Sequence, residues 1–201
     1  MNEDALVSKI TPAIAEKLIL RVEEPPLTVS DDSIIDSVRN GDTEAFGILV
    51  KRYEDFVYTL VRGIALSDDL AQDITQEVFL RAYRGIRRFE RRANFKTWLY
   101  RIAYNTALSH LPKKKIGSIS DETIETTLPP RESVDNELQH AMRVLVDRLK
   151  PELKAVVLFH YYDDLKYEEI AEILSCPIGT VKVRLFRAKH ELKKLWEKYA
   201  I

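Results

Sequence analysis

From Asp31 onward, apolar side chains recur along the chain at helical spacing. Ile34, Ile35 and Val38 line one side of a short segment that Asp32 can cap and that Asn40-Gly41 ends. Asp42 can cap the next, in which Phe46, Leu49, Val50, Tyr53, Val57, Leu60 and Val61 form a single stripe of helical period. Ser67 is the candidate cap of a third helix, with Asp68 and Asp69 in its first turn, where the helix dipole favours anions. Its apolar side is Leu70, Ala71, Ile74, Val78 and Ala82, and its opposite side is acidic and polar: Asp69, Asp73, Gln76 and Glu77. A loop, Arg87-Arg88-Phe89-Glu90-Arg91-Arg92-Ala93, leads to Asn94, which can cap a fourth helix that Leu111 and Pro112 close.

Residues 116–134 lack hydrophobic period and are rich in Ser, Thr and Pro, which predicts an acidic, flexible linker. Helical period resumes at Asp135, with segments over 135–149, 151–162, about 166–175 and about 178–199. Pro151 suits the first turn of the second of these. Upstream, residues 1–30 read as an extension whose one short helical pattern stops at Glu23-Glu24-Pro25-Pro26. The pattern predicts an all-α fold of two helical domains, 31–115 and 135–201, joined by the linker 116–134.

Composition supports that class and excludes others. The 201 residues are 45% hydrophobic and 31% charged, a globular balance too apolar for wholesale disorder, and 6 glycines leave little material for hairpin turns. Cys176 is the single cysteine, so an intrachain disulfide and a Cys-based zinc site are both excluded. Residues 1–10 carry Glu3 and Asp4 without an apolar core, which argues against a signal peptide, and no apolar run reaches the length of a membrane span. The expected location is the cytoplasm.

The net charge of -1 conceals strong segregation. Residues 1–80 hold 7 basic and 16 acidic side chains, 81–115 hold 11 and 1, 116–177 hold 6 and 13, and 178–201 hold 7 and 2. Two basic blocks separated by an acidic stretch point to two anion-binding surfaces on one chain.

The second basic block lies on a helix-turn-helix pattern. Leu165, Ile170, Ala171 and Leu174 mark the apolar face of a short helix, Ser175-Cys176-Pro177-Ile178-Gly179 break it, and Thr180 begins a longer helix with Val181, Leu185, Ala188 and Leu192 inside. Thr180, Lys182 and Arg184, near the start of that helix, are placed for base edges in a major groove; Arg187, Lys189 and His190 are placed for phosphates. The first basic block interleaves Phe89, Phe95, Trp98, Tyr100 and Tyr104 with Arg87, Arg88, Arg91, Arg92, Lys96 and Arg101. Rings beside cations suit single-stranded DNA, whose bases stack while its backbone follows positive charge. Several of the same rings also fit a buried stripe, so the cluster rather than any one aromatic carries the reading.

Leu49-Val50-Lys51-Arg52-Tyr53, the run Asp73-Ile74-Thr75-Gln76-Glu77-Val78-Phe79-Leu80-Arg81-Ala82-Tyr83, the run Phe95-Lys96-Thr97-Trp98-Leu99-Tyr100-Arg101-Ile102-Ala103 and Gly179-Thr180-Val181-Lys182 stand in the order seen in bacterial sigma factors. With two domains and a linker, the chain resembles the extracytoplasmic-function (ECF) group over roughly residues 31–199. The resemblance implies a transcription initiation factor that binds core RNA polymerase and promoter DNA, duplex and single-stranded. It implies docking of core polymerase on Asp69, Asp73, Gln76 and Glu77. It implies opening of a −10 element, with capture of a flipped base, by Arg88, Arg91, Arg92, Asn94, Phe95, Lys96, Trp98, Arg101 and Asn105. Thr180, Lys182, Arg184, Arg187, Lys189 and His190 would then read a −35 element. An anti-sigma factor is the implied regulatory partner.

The chain departs from the family pattern at Arg91-Arg92, where the loop is usually less basic, and at Tyr104, Ser109, Lys166 and Val183. Enzyme readings find little support. The four histidines are scattered without a metal spacing, and there is neither a Gly-rich phosphate loop nor a nucleophile elbow. No catalysis, metal or cofactor is expected. The alternatives are a stand-alone helix-turn-helix regulator, which leaves the acidic face unexplained, and a helical interaction module that never touches DNA.

Overall fold

The computed structural model describes residues 29–65, 67–111 and 144–199, and among them every regular element is helical. The extension 1–30 (but for its last two residues), the linker 116–134 and most of the helix expected over 135–149 lie outside the described residues. The first half comprises α1 (Asp31–Arg39), α2 (Phe46–Arg62), α3 (Asp68–Gly85) with a 3₁₀ turn (Ile86–Arg88), and α4 (Phe95–Ser109). The second comprises α5 (Pro151–Val157) continuing into a widened π turn (Leu158–Tyr162), α6 (Tyr167–Ile173) and α7 (Ile178–Tyr199).

Local chemistry sets the helix starts. Ser67 Oγ accepts from Leu70 N at 3.2 Å, and Asn94 Oδ1 accepts from Thr97 N at 2.7 Å, each satisfying a donor that the first turn leaves free. Two expected caps fall elsewhere. Ser30, not Asp32, caps α1 by accepting from Ser33 N at 3.2 Å. Asp32 is inside the first turn, where its charge meets the helix dipole. Asp42 accepts from Glu44 N and Ala45 N, both at 3.1 Å, and so closes the turn that feeds α2 rather than α2 itself. At α6, which has Lys166 in place of a capping hydroxyl, Glu169 Oε2 reaches back to accept from Lys166 N at 2.9 Å.

The stripes read from sequence meet as one core. Leu49, Val57, Leu60 and Val61 of α2 are buried with Ala71, Ile74, Val78 and Ala82 of α3 and Leu99 and Ala103 of α4. Burial of each large aliphatic side chain contributes roughly 1.5–3 kcal/mol. The helix expected over 151–162 is regular only as far as Val157. Beyond it, Asp163 N donates to Leu158 O at 3.2 Å and Leu165 N to Phe159 O at 2.9 Å, so the last turn opens out.

The core is continuous between the halves. Phe56 of α2 stacks on Tyr100 of α4 at 4.3 Å, and both stack on Phe159 of the π turn, at 5.9 and 6.0 Å. Among the described residues, no helix is long and apolar enough to cross a membrane.

Candidate nucleic-acid interface

α6 and α7 form a tight pair around the turn 174–177, which is shaped by Ser175 in the left-handed region and by Cys176 N donating to Ala171 O at 3.0 Å. Ile170, Ala171 and Ile173 pack against Val181, Leu185, Ala188 and Leu192, all buried. That fixes the outer side of α7. Lys182, Arg187 and His190 are exposed, while Thr180, Arg184 and Lys189 are half-buried along its flanks. Lys182 Nζ lies 5.9 Å over the Tyr167 ring and Lys189 Nζ 5.5 Å over Tyr161, so neighbouring rings orient both cations.

Besides Val183, already marked as a departure from the family pattern, the same surface carries apolar side chains that sequence reasoning passed over, Phe186 above all. Phe186 is 72% exposed, and Val183 and Ile178 also face outward. Phe186 is one residue past Leu185 and so falls off the buried stripe 181, 185, 188, 192, a signal already present in the spacing.

The expected −10 residues occupy four distinct settings. Arg88, Arg92, Asn94 and Asn105 are exposed, Arg92 pairing with Glu90 at 2.7 Å. Phe95, by contrast, is 3% exposed and set against Tyr53, Phe89 and Trp98, so it presents no ring face to a strand in this arrangement. Phe89, Tyr100 and Tyr104 are buried as well, which narrows the proposed stacking cluster to Trp98. Trp98 is half-buried between Phe89 at 4.9 Å and Phe95 at 5.6 Å. Gly85 makes room for it, since a Cβ there would meet its ring at 3.0 Å.

The remaining members of the set touch the second half. Lys96 Nζ lies 2.7 Å from Asp163 Oδ2, Arg101 Nη2 donates to Glu172 O at 2.7 Å, and Asn94 Nδ2 reaches Glu169 Oε1 at 3.4 Å. Asp163 is largely buried, and desolvation pushes its carboxyl up to about 6, although Lys96 and Tyr100 both favour its charged form. Arg91 turns away from these contacts and bonds to α1.

On α3, Asp69, Asp73 and Gln76 are all exposed on the outer side. Glu77 is engaged: His110 Nε2 lies 2.8 Å away and Arg81 Nε donates at 2.8 Å. Hydrogen bonding to His110, then to Arg81, holds its carboxyl below the usual range. Leu80, 54% exposed, and Tyr83 extend this surface and were missed because the acidic pattern drew the reading to charge. No group of His, Cys, Asp or Glu that could hold a metal ion occurs among the described residues.

Comparison with known proteins matches both halves. The family model "Sigma-70 region 2" covers residues 49–116, and "Sigma-70, region 4" covers residues 139–192. The ECF RNA polymerase sigma-E factor of Haemophilus influenzae is 34% identical over 179 residues, covering 82% of this chain and 94% of that protein. The protein of the same name from Escherichia coli K12 is 34% identical over 178 residues, covering 82% and 93%. Among solved structures, CnrH in complex with the cytosolic domain of CnrY has a TM-score of 0.63 at 19% identity, covering 83% of this chain and 96% of that one. The sigma factor RpoE of Bartonella quintana, in complex with the anti-sigma factor NepR, has a TM-score of 0.56 at 22% identity, covering 76% and 96%. The two solved structures show the shared fold, and the identity to the sigma-E proteins over most of the chain shows the family: this chain belongs to the ECF RNA polymerase sigma factors.

Proposed function

We propose that this chain binds core RNA polymerase through the outer face of α3 and directs it to promoters through two separate DNA contacts, contributing no catalytic group and no cofactor. Its place of action is the cytoplasm, with the polymerase and the chromosome. The observation that carries the reading is the pairing of one basic helix-turn-helix with a second basic surface next to an acidic and apolar docking face. A stand-alone regulator has no use for Asp69, Asp73, Gln76, Leu80 and Tyr83 turned outward together.

The −35 contact is assigned to the outer side of α7. Lys182 donates to base edges, with Thr180 and Arg184 at the flank, and Arg187, Lys189 and His190 take phosphates. Phe186 and Val183 offer apolar contact of the kind that recognises a thymine methyl group. The −10 contact is assigned to Arg88, Arg92, Asn94, Lys96, Trp98, Arg101 and Asn105, with Phe95 and Phe89 as the packed floor beneath Trp98. Unstacking one base costs a few kcal/mol, which ring stacking and backbone neutralisation offset.

This assignment carries a mechanical requirement. Lys96, Arg101 and Asn94 are held by Asp163, Glu172 and Glu169, so a strand gains access to them once the two halves part. Binding to core polymerase is the step proposed to part them. An anti-sigma factor, present in the Bartonella quintana structure with its sigma factor, is the proposed negative regulator.

Footprinting of promoter DNA by the chain bound to core polymerase tests the assignment. Protection of one upstream duplex element, together with permanganate-reactive thymines about two helical turns downstream, is the expected result. Identical protection by the chain alone would favour the stand-alone regulator.

A further inference from the structure

α1 carries none of the residues assigned to DNA, yet it holds the start and the middle of the loop that enters α4. Arg39 of α1 donates through Nε to Ile86 O at 3.2 Å and through Nη2 to Phe89 O. In the opposite direction, Arg91 of the loop places Nη2 2.5 Å from Asp36 Oδ1 and 3.2 Å from Asp32 O, with Nε 3.2 Å from Asp32 Oδ1. Two arginines, one from each side, thus clasp helix and loop.

The backbone makes the clasp more than an ordinary surface pair. Arg91 has φ of 55°, the left-handed region that a long side chain seldom adopts and glycine enters freely. Such strain persists where the surroundings over-determine it, and it clusters at sites where geometry matters. Here the over-determination is visible. Ile86 and Phe89 are buried beneath the loop, Arg39 fixes their carbonyls, and the Arg91 guanidinium is committed to Asp32 and Asp36. Isolated exposed ion pairs contribute little. This one is joined to a half-buried arginine and to main-chain acceptors, and the loop it ties down carries the exposed Arg88 and Arg92.

We propose that Arg39 and Arg91 are positioning residues for −10 recognition, with Asp32 and Asp36 as their anchors, so that α1 acts as a specificity element of the loop Arg88–Asn94. The inference rests on the −10 reading above and removes Arg91 from the residues that would touch DNA.

Arg91→Gly relieves the left-handed strain while deleting the tether, so loss of function in it is not loss of fold. Wild-type chain, Arg91→Gly, and the exchange Asp36→Arg with Arg91→Asp are each assembled with core polymerase. Strand opening is then measured on promoters carrying each of the four bases at the flipped −10 position, across a salt series. Aspartate tolerates the left-handed region better than arginine, so the exchange is conformationally feasible.

The expected result is that Arg91→Gly matches or exceeds the wild-type melting temperature and keeps core affinity. It loses base discrimination by about tenfold, because a recognition frame held loosely forfeits its selectivity. The exchange restores most of that discrimination, and the salt dependence of promoter binding is unchanged throughout. Undiminished discrimination in Arg91→Gly overturns the proposal. So does a salt slope reduced by about one with no rescue by the exchange, which marks Arg91 as a direct phosphate contact. If the wild-type chain itself shows no base preference at any opened position, the underlying −10 assignment fails instead.

Discussion

Asp163 shows how one carboxyl ties the stability of the chain to pH. It is desolvated between the halves with Lys96 Nζ 2.7 Å away, and its proton is held up to about pH 6 against an ordinary value near 4. A raised carboxyl pKa means that the packed form binds the proton more tightly than the unfolded chain does. Its contribution is therefore fully present below about pH 4 and is lost as pH rises through about 6. Comparing thermal unfolding of wild type with Asp163→Asn, the difference should move in favour of wild type by about 2–3 kcal/mol as pH falls from 7.5 to 4, the energy that corresponds to raising a carboxyl from near 4 to about 6. A pH-independent difference would place Asp163 in solvent. Phe186 is the complementary case. Its ring covers little of the core, so Phe186→Ala should change stability by less than about 0.5 kcal/mol while weakening −35 duplex binding about five- to tenfold. Residues of this kind were only partly legible in sequence. The charge pattern marked Lys96 and Arg101 as cationic, but nothing local told that Asp163 and Glu172 would answer them from about seventy positions away. Spacing alone does not separate a core aromatic from an exposed one, so Phe95 stands in the sequence pattern among rings for stacking although it is buried.

At the scale of elements, sequence legibility follows how local the cause is. α2, α3 and α7 were readable because long amphipathic stripes are written into consecutive turns. The π turn after Val157 was not, since it depends on Leu165 N reaching Phe159 O and on the packing of Phe159 across the halves. The start of α1 moved to Ser30 because serine and aspartate both serve as caps, and only the backbone before the helix decides between them. α3 has an outer face on which Asp69, Asp73, Gln76 and Leu80 are exposed, with Tyr83 at its end packed edge-on against Phe46 of α2 at 5.2 Å. Charge reversal at Asp69 and Asp73 together should lower affinity for core polymerase at least tenfold, as truncation of a buried charged contact costs about 2–5 kcal/mol. Circular dichroism should stay at wild-type values, because both side chains point away from the core, and the melting temperature should fall only by the few degrees that reversing Asp69 in the first turn costs. Unchanged core affinity would move the docking face elsewhere.

Across the whole molecule, the near-zero net charge is a cancellation between surfaces with different partners, and part of it is made within the chain itself. The acidic rim of the second half, Asp163, Glu169 and Glu172, lies against the cations assigned to the −10 strand. Glu169→Lys with Glu172→Lys should loosen this contact, and the free chain should then bind a single-stranded −10 oligonucleotide more tightly than wild type does, with a steeper salt dependence. Equal binding by the two proteins would mean that the contact does not mask the strand site.

Promoter-specific transcription, reconstituted from purified core polymerase and this chain on genomic fragments, tests the proposed role most directly. Transcripts should start at discrete sites, appear only when both components are present, and vanish when either promoter element is scrambled. Core polymerase that gives the same unspecific products with and without the chain would contradict that role.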